Sequence, residues 1–148
     1  MKTSGFSAFR YSVLLGLFIM LASAKLSAEQ MKQLGNWDVH YMALPATFLT
    51  PEVAVEYGIQ RSKFNGVINI SVLDSKTQQA QQVAISGIAK DLFGRQRQLE
   101  FNQVMEGDAV YYLTTVPYQN EQQYNFTITI SQGDQQQQLM FSHTFFVD

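Results

Sequence analysis

The stretch "QYNFTITIS", Gln123 to Ser131, decides the fold class. Tyr124, Phe126, Ile128 and Ile130 alternate with Asn125, Thr127 and Thr129. A period of two sends successive side chains to opposite faces, so this segment presents one apolar and one polar face, as a half-buried strand does. "QGDQ", Gln132 to Gln135, follows with the glycine–aspartate pair of a tight hairpin. "QLMFSHTFFV", Gln138 to Val147, then alternates again, with Leu139, Phe141, Phe145 and Val147 on one face. Strand, tight turn and strand make the carboxyl-terminal part antiparallel β.

The same pattern extends toward the amino terminus. "AVYYLTTV", Ala109 to Val116, is a strand ended by Pro117, and "EGD", Glu106 to Asp108, is the turn before it. "RQLEFNQV", Arg97 to Val104, reads as one strand with Leu99 and Phe101 on one face, preceded by the turn "GRQ". "VAISGIAKDLF", Val83 to Phe93, contributes Val83, Ile85 and Ile88, with Gly87 expected to form a bulge. "GVINISVL", Gly66 to Leu73, sets Ile68, Ile70 and Val72 against Val67, Asn69, Ser71 and Leu73. "NWDVHYMAL", Asn36 to Leu44, puts Trp37, Val39 and Tyr41 on one face, and Glu29 to Leu34 reads as frayed or loosely helical. About seven short strands with frequent turns predict a single antiparallel β-sandwich, immunoglobulin-like with Greek-key crossings. A small barrel is the alternative.

One segment competes with this pattern. In "TPEVAVEYGIQRSK", Thr50 to Lys63, Val53, Val55, Tyr57 and Ile59 have strand spacing. Its ends favour a helix. Thr50 can accept from a first-turn amide, and Pro51 at the first helical position loses no hydrogen bond. Glu52 suits the positive end of the helix dipole, and Gly58 can adopt the left-handed conformation that ends helices. The β-branched valines argue the other way. The balance predicts a short helix near residues 51–58 inside an otherwise all-β chain.

The chain begins with Lys2 and Arg10, then the apolar run "VLLGLFIMLA" from Val13 to Ala22, then small residues. That run falls short of the roughly 20 residues a membrane-spanning helix needs, and its flanks are those of a cleavable secretory signal. Cleavage after Ala24 or after Ala28 is open, with Ala28 preferred; residues 29–148 then form one domain. An uncleaved anchor is the alternative. The predicted address is the periplasm, with no stable membrane insertion after cleavage. There is no cysteine, so the fold relies on its core without disulfides. Removing residues 1–28 leaves seven basic and twelve acidic residues, a formal charge of −5. That bulk balance argues against nucleic acid or anionic lipid as the main partner.

The chemistry-bearing residues are sparse. Without cysteine, a nucleophile would have to be serine or threonine, and no serine sits in a glycine-flanked sharp turn. The only bases of the histidine type, His40 and His143, are embedded in strand patterns. A metal site using them, with Asp38 on the His40 face, lacks motif spacing. The carboxylate pairs Glu100 with Glu106 and Glu52 with Glu56 read as solvated surface. The eighteen glutamines, gathered in Gln78–Gln82, Gln119–Gln123 and Gln132–Gln138, read as uncharged coating of hairpin ends. No catalytic residue, metal or cofactor is expected. One tryptophan, seven tyrosines and eleven phenylalanines are more than one core needs on adjacent positions such as Tyr111–Tyr112 and Phe145–Phe146. Some could line a groove, or they could cover strand edges.

"WDVHYMALPATFLTPEVAVEYGIQRSK" followed by "GVINISVL", with "LEF", "EGDAVYYL" and the ending "FSHTFF", resembles a family of small exported proteobacterial proteins catalogued as domain of unknown function 4426. The resemblance runs through most of the chain after the signal and is most specific at "FLTPEVA". It implies a periplasmic β-sandwich and carries no assigned activity or site residues. The expectation is therefore a non-enzymatic periplasmic module that binds a protein or peptide. Tyr57, Arg61 and Lys63 are its candidate partner-binding residues, as a small basic cluster on an acidic domain. The alternatives are a carrier of a small lipid or glycan and, more remotely, a histidine-dependent enzyme or metal site.

Overall fold

A computed structural model describes residues 29–147; the predicted signal, residues 1–28, lies outside the described residues. Nine strands follow in order: β1 (Gln30–Leu34), β2 (Trp37–Pro45), β3 (Asn65–Asp74), β4 (Ala84–Asp91), β5 (Gln96–Leu99), β6 (Asn102–Glu106), β7 (Ala109–Pro117), β8 (Gln122–Gln132) and β9 (Gln135–Phe145). They form two antiparallel sheets, ordered β1-β2-β3-β7-β6 and β5-β4-β8-β9. The run β2-β3-β7-β6 matches the ABED sheet of an immunoglobulin constant domain, and β4-β8-β9 matches its CFG sheet. The β1 and β5 strands extend opposite edges of this arrangement. The result is the expected sandwich rather than a barrel.

The alternation seen in the sequence becomes the core. Val39 and Tyr41 of β2, Ile68, Ile70 and Val72 of β3, and Phe126, Ile128 and Ile130 of β8 are buried between the sheets. Each large apolar side chain so removed from water contributes about 1.5–3 kcal/mol before entropy is counted. Phe126 stacks on Phe141 at 4.8 Å between ring centroids, and Tyr41 meets Phe141 at 4.6 Å, so aromatic contacts join the two sheets. Gly66 is required here: a Cβ at that position would come within 2.6 Å of the buried Phe145 ring. Tyr124, at the start of β8, donates its hydroxyl to the carbonyl of Pro117 at 2.7 Å. This is the tyrosine corner that pins the crossing between the two sheets in immunoglobulin-like folds.

Three local expectations are corrected. Gln30–Leu34 is a strand, not a loose helix: it pairs with β2 from Gln30↔Tyr41 to Leu34↔Trp37. A polar segment can be a strand when it lies at a sheet edge and needs no buried face, and here Lys32 Nζ also donates to the carbonyl of Met140 on β9 at 2.6 Å. "RQLEFNQV" is two strands in different sheets, β5 pairing with β4 and β6 with β7. The chain changes sheet at Glu100–Phe101, which is why the strand count rises above seven. Gly87 is not a bulge, because β4 pairs with β8 in unbroken register from Ala84↔Ser131 to Asp91↔Tyr124. Gly87 instead admits close packing, since a Cβ there would lie 3.1 Å from Ile128 and 3.3 Å from Phe101. Continuous register turns Ile88 outward, where it is exposed.

Candidate functional site

The connection between β2 and β3 contains a 3-10 turn, Ala46–Phe48, and one helix, α1 (Pro51–Glu56). Its ends are built as the sequence dictates. Thr50 Oγ1 accepts from the Val53 amide at 3.3 Å, with Pro51 at the first helical position. At the other end Gly58 has φ +66°, its amide donates to Val55 O, and the Ile59 amide donates to Ala54 O. That pair of bonds is the Schellman closure that satisfies carbonyls at a helix end. Ala54 is the buried residue of α1, and Val55 faces solvent.

The structure gives Tyr57, Arg61 and Lys63 separate partners rather than one convergent cluster. The Tyr57 hydroxyl donates to Glu106 Oε1, tying the connection to the outer face of the sheet near β6. Arg61 donates through Nε to Leu49 O at 2.7 Å and through Nη2 to Thr47 O at 3.2 Å, so its guanidinium holds the 3-10 turn in place. The Lys63 ammonium lies 5.4 Å from the centre of the Phe64 ring. Beneath Tyr57, Gly58 and Ile59 is a recess of about 90 Å³, bounded also by Leu113 and Asn102. Asn69, in register beside Leu113, has a buried Oδ1 with no hydrogen-bond partner among the described residues.

The two histidines sit on different surfaces. His40 is on the outer face of its sheet, with Nδ1 3.4 Å from Glu29 Oε1. His143 is half-buried on the inner face of β9, edge-on to Phe145 at 4.5 Å. Burial disfavours its imidazolium and lowers its pKa below the ordinary value. Among the described residues no three histidine or carboxylate side chains gather as a metal cluster would.

A larger feature lies at the end of the sandwich where the β4–β5 turn meets the β7–β8 connection. An open cleft of about 420 Å³ is walled by Asp91, Arg95, Arg97, Tyr118, Tyr124 and glutamine side chains. Asp91 organises it. This buried carboxylate accepts from the amides of Phe93 at 2.9 Å and Arg95 at 3.0 Å, and from Arg95 Nε at 2.6 Å. Desolvation opposes its ionisation, but the hydrogen bonds from the Arg95 side chain and from the Arg95 and Phe93 amides outweigh it, so its pKa lies below the ordinary carboxylate value. Gly94, at φ +85°, closes the turn. Arg95 is thus neutralised by Asp91, whereas Arg97, two residues along the exposed edge strand β5, has no carboxylate partner among the described residues. Tyr118 joins the cleft to its surroundings: its amide donates to Phe64 O at 2.9 Å, and its ring stacks on Phe145 at 4.5 Å. The sequence reading treated "GRQ" only as a turn and missed this site. The available signal was "DLFGR", an aspartate four residues before an arginine across a glycine turn.

Comparison with known proteins places this geometry in context. The family described as domain of unknown function (DUF4426) matches residues 31–148. A solved DUF4426 family protein from Pseudomonas aeruginosa is 36% identical, covers 81% of this chain and 96% of its own, and superposes with a TM-score of 0.71. FetP from uropathogenic E. coli is 10% identical, with 80% and 94% covered and a TM-score of 0.58. A copper-bound variant of FetP is also 10% identical, with 81% and 91% covered and a TM-score of 0.57. At that identity the FetP likeness concerns the fold alone. No curated protein matches.

Proposed function

The chain belongs to the DUF4426 family, and from that premise we propose that it is a non-enzymatic periplasmic binding module whose ligand is a protein or peptide segment carrying an anionic group. The observation that carries this reading is the 420 Å³ cleft with Arg97, which has no carboxylate partner among the described residues, on its wall. A guanidinium offers a planar fork that pairs two hydrogen bonds with a carboxylate. Gln96, Gln119 and Gln122 add amide donors and acceptors around it, and Tyr118 and Tyr124 add aromatic walls. A chain end or an acidic side chain presented on an extended segment fits that combination. The periplasmic address rests on the secretory character of residues 1–28.

The carrier alternative draws less support. The recess beneath Tyr57–Ile59 holds about 90 Å³, well below the roughly 300–1,000 Å³ usual for small-molecule sites. The larger cleft is open to solvent and lined by charged and amide groups as well as by Tyr118 and Tyr124, unlike an enclosed lipid cavity.

Affinity capture from periplasmic extract tests the reading with two variants side by side. Arg97→Glu is expected to remove a specifically captured protein that the unaltered chain retains, at least about tenfold, because a charge reversal breaks a charge-assisted pair. Arg61→Glu combined with Lys63→Glu is expected to have the smaller effect on capture. If Arg97→Glu leaves capture unchanged, the cleft is not the recognition site. If only the Arg61 and Lys63 pair matters, the β2–β3 connection takes its place.

A further inference from the structure

The formal charge of −5 after the predicted signal conceals an asymmetry along the sandwich. One end carries the β2–β3 connection, the β4–β5 turn, the β7–β8 connection and the residues after β9. Every exposed phenylalanine among the described residues lies there: Phe48, Phe64, Phe93 and Phe146, each about half-exposed or more. Leu92 joins them, so that Leu92 and Phe93 stand 69% and 87% exposed at the tip of one turn. Among the described residues this end holds Arg61, Lys63, Lys90, Arg95 and Arg97 against Glu52, Glu56, Asp91 and Glu121, with Lys90, Arg95 and Arg97 gathered around Leu92 and Phe93 and Lys63 next to Phe64. The opposite end carries Asp74 at the close of β3 and Asp108 and Asp134 in its turns, with Lys76 as the one cation there among the described residues.

We infer that this phenylalanine-bearing end docks reversibly on an anionic lipid surface, with Leu92, Phe93 and Phe64 entering the headgroup boundary and the cations meeting phosphates. Aromatic side chains favour that boundary, and basic residues beside them add electrostatic attraction. The apolar groups stand on separate loops and do not line a groove, which suits a deformable planar surface better than a single docked helix. The loops are nevertheless tied together: Tyr118 donates its amide to Phe64 O and its hydroxyl to Phe146 O, and it lines the cleft with Arg95 and Arg97.

Most backbone donors of the tip are already paired within the turn. Backbone donors that enter an apolar layer unpaired are costly. In the β4–β5 turn the amides of Phe93 and Arg95 go to Asp91 Oδ1, the Gly94 amide goes to Asp91 O, and the Asp91 amide goes to Arg95 O. The Arg95 guanidinium lies 5.5 Å from the centre of the Phe93 ring, so cation and aromatic face present together. The acidic opposite end would be repelled by the same surface, which sets the orientation. Bulk charge alone argues against an anionic lipid partner; the local grouping of Lys90 and Arg97 beside Leu92 and Phe93, and of Lys63 beside Phe64, argues for one at this tip. This inference stands apart from the peptide reading, since Leu92, Phe93 and Phe64 do not line the cleft.

Co-sedimentation of the processed chain with vesicles tests it, using phosphatidylglycerol with phosphatidylethanolamine against phosphatidylcholine alone. Binding is expected to the anionic vesicles, weakening as salt rises. Phe64→Ser with Phe93→Ser is expected to lower the partition coefficient by about tenfold or more, the loss of two partly inserted aromatic side chains. Met105→Ser, an exposed apolar residue at the opposite end, is expected to leave it unchanged. Equal binding to both vesicle types, or an undiminished double variant, overturns the inference. So does a chain that ignores vesicles while the same double variant abolishes capture of a protein, or abolishes concentration-dependent self-association, since the end would then be a protein interface. Retained capture by the double variant with lost vesicle binding separates this surface from the peptide cleft.

Discussion

His143 shows how a single side chain can set a condition on the whole fold. It occupies an inner-face position on an edge strand, beside Tyr41 and Phe141 in a recess too small for a ligand. Burial lowers its pKa from the ordinary 6.5, so the unfolded chain takes up a proton before the folded one does. Stability from this residue is therefore full above about pH 6.5 and declines as pH falls from there through the folded value. His143→Phe should keep the edge contact with Phe145 and remove that dependence. Urea unfolding at neutral and mildly acidic pH should show a smaller drop in midpoint for the variant; equal drops would assign the acid sensitivity elsewhere. His143 falls on the same alternation as Leu139, Phe141 and Phe145, so its inner-face position follows from strand period alone. Arg97 was not legible in the same way. Its significance depends on Asp91 pairing with Arg95 and leaving Arg97 without a carboxylate partner among the described residues, which is a fact of turn geometry rather than of spacing.

At the scale of elements, α1 was readable because its signals are local. Thr50, Pro51 and Gly58 each act within one turn of their own position, and the alternation of Val53 and Val55 has no sheet partner to reward it. Gly58→Ala forces a residue with a Cβ into φ +66°, with no atom nearby to clash, so its cost is backbone strain of roughly 1 kcal/mol. Thr50→Ala should cost about 1 kcal/mol through the lost cap. Amide exchange of residues in the β2–β3 connection should accelerate in both variants, while β8 and β9 stay protected; uniform acceleration throughout would mean the connection is part of the core. The β1 strand and the β5–β6 split were illegible for the opposite reason. An edge strand needs no apolar face, and a chain that changes sheets keeps its alternation through the crossing at Glu100–Phe101. Gly87 misled because a glycine that admits Phe101 and Ile128 looks, in sequence, like one that breaks register.

For the molecule as a whole, the sandwich and its approximate strand count followed from periodicity and turns, because every buried face obeys the same period. Its two unlike ends did not follow, because composition averages them. Phe48, Phe64, Phe93 and Phe146 are far apart in sequence and become one surface only when the Greek-key crossings bring their loops to the same end. That end also contains the cleft, so recognition and docking are both assigned to a single pole of the protein. The most direct test is residue-resolved NMR of the chain titrated with its captured protein and, separately, with anionic vesicles. Amide shifts or broadening are expected at residues 91–97 and 117–122 with the protein, and at residues 63–64 and 91–95 with vesicles, while the turns at Gly107 and Gly133 stay unchanged. Perturbations centred on Gly107 and Gly133, or spread evenly over both ends, would contradict the account.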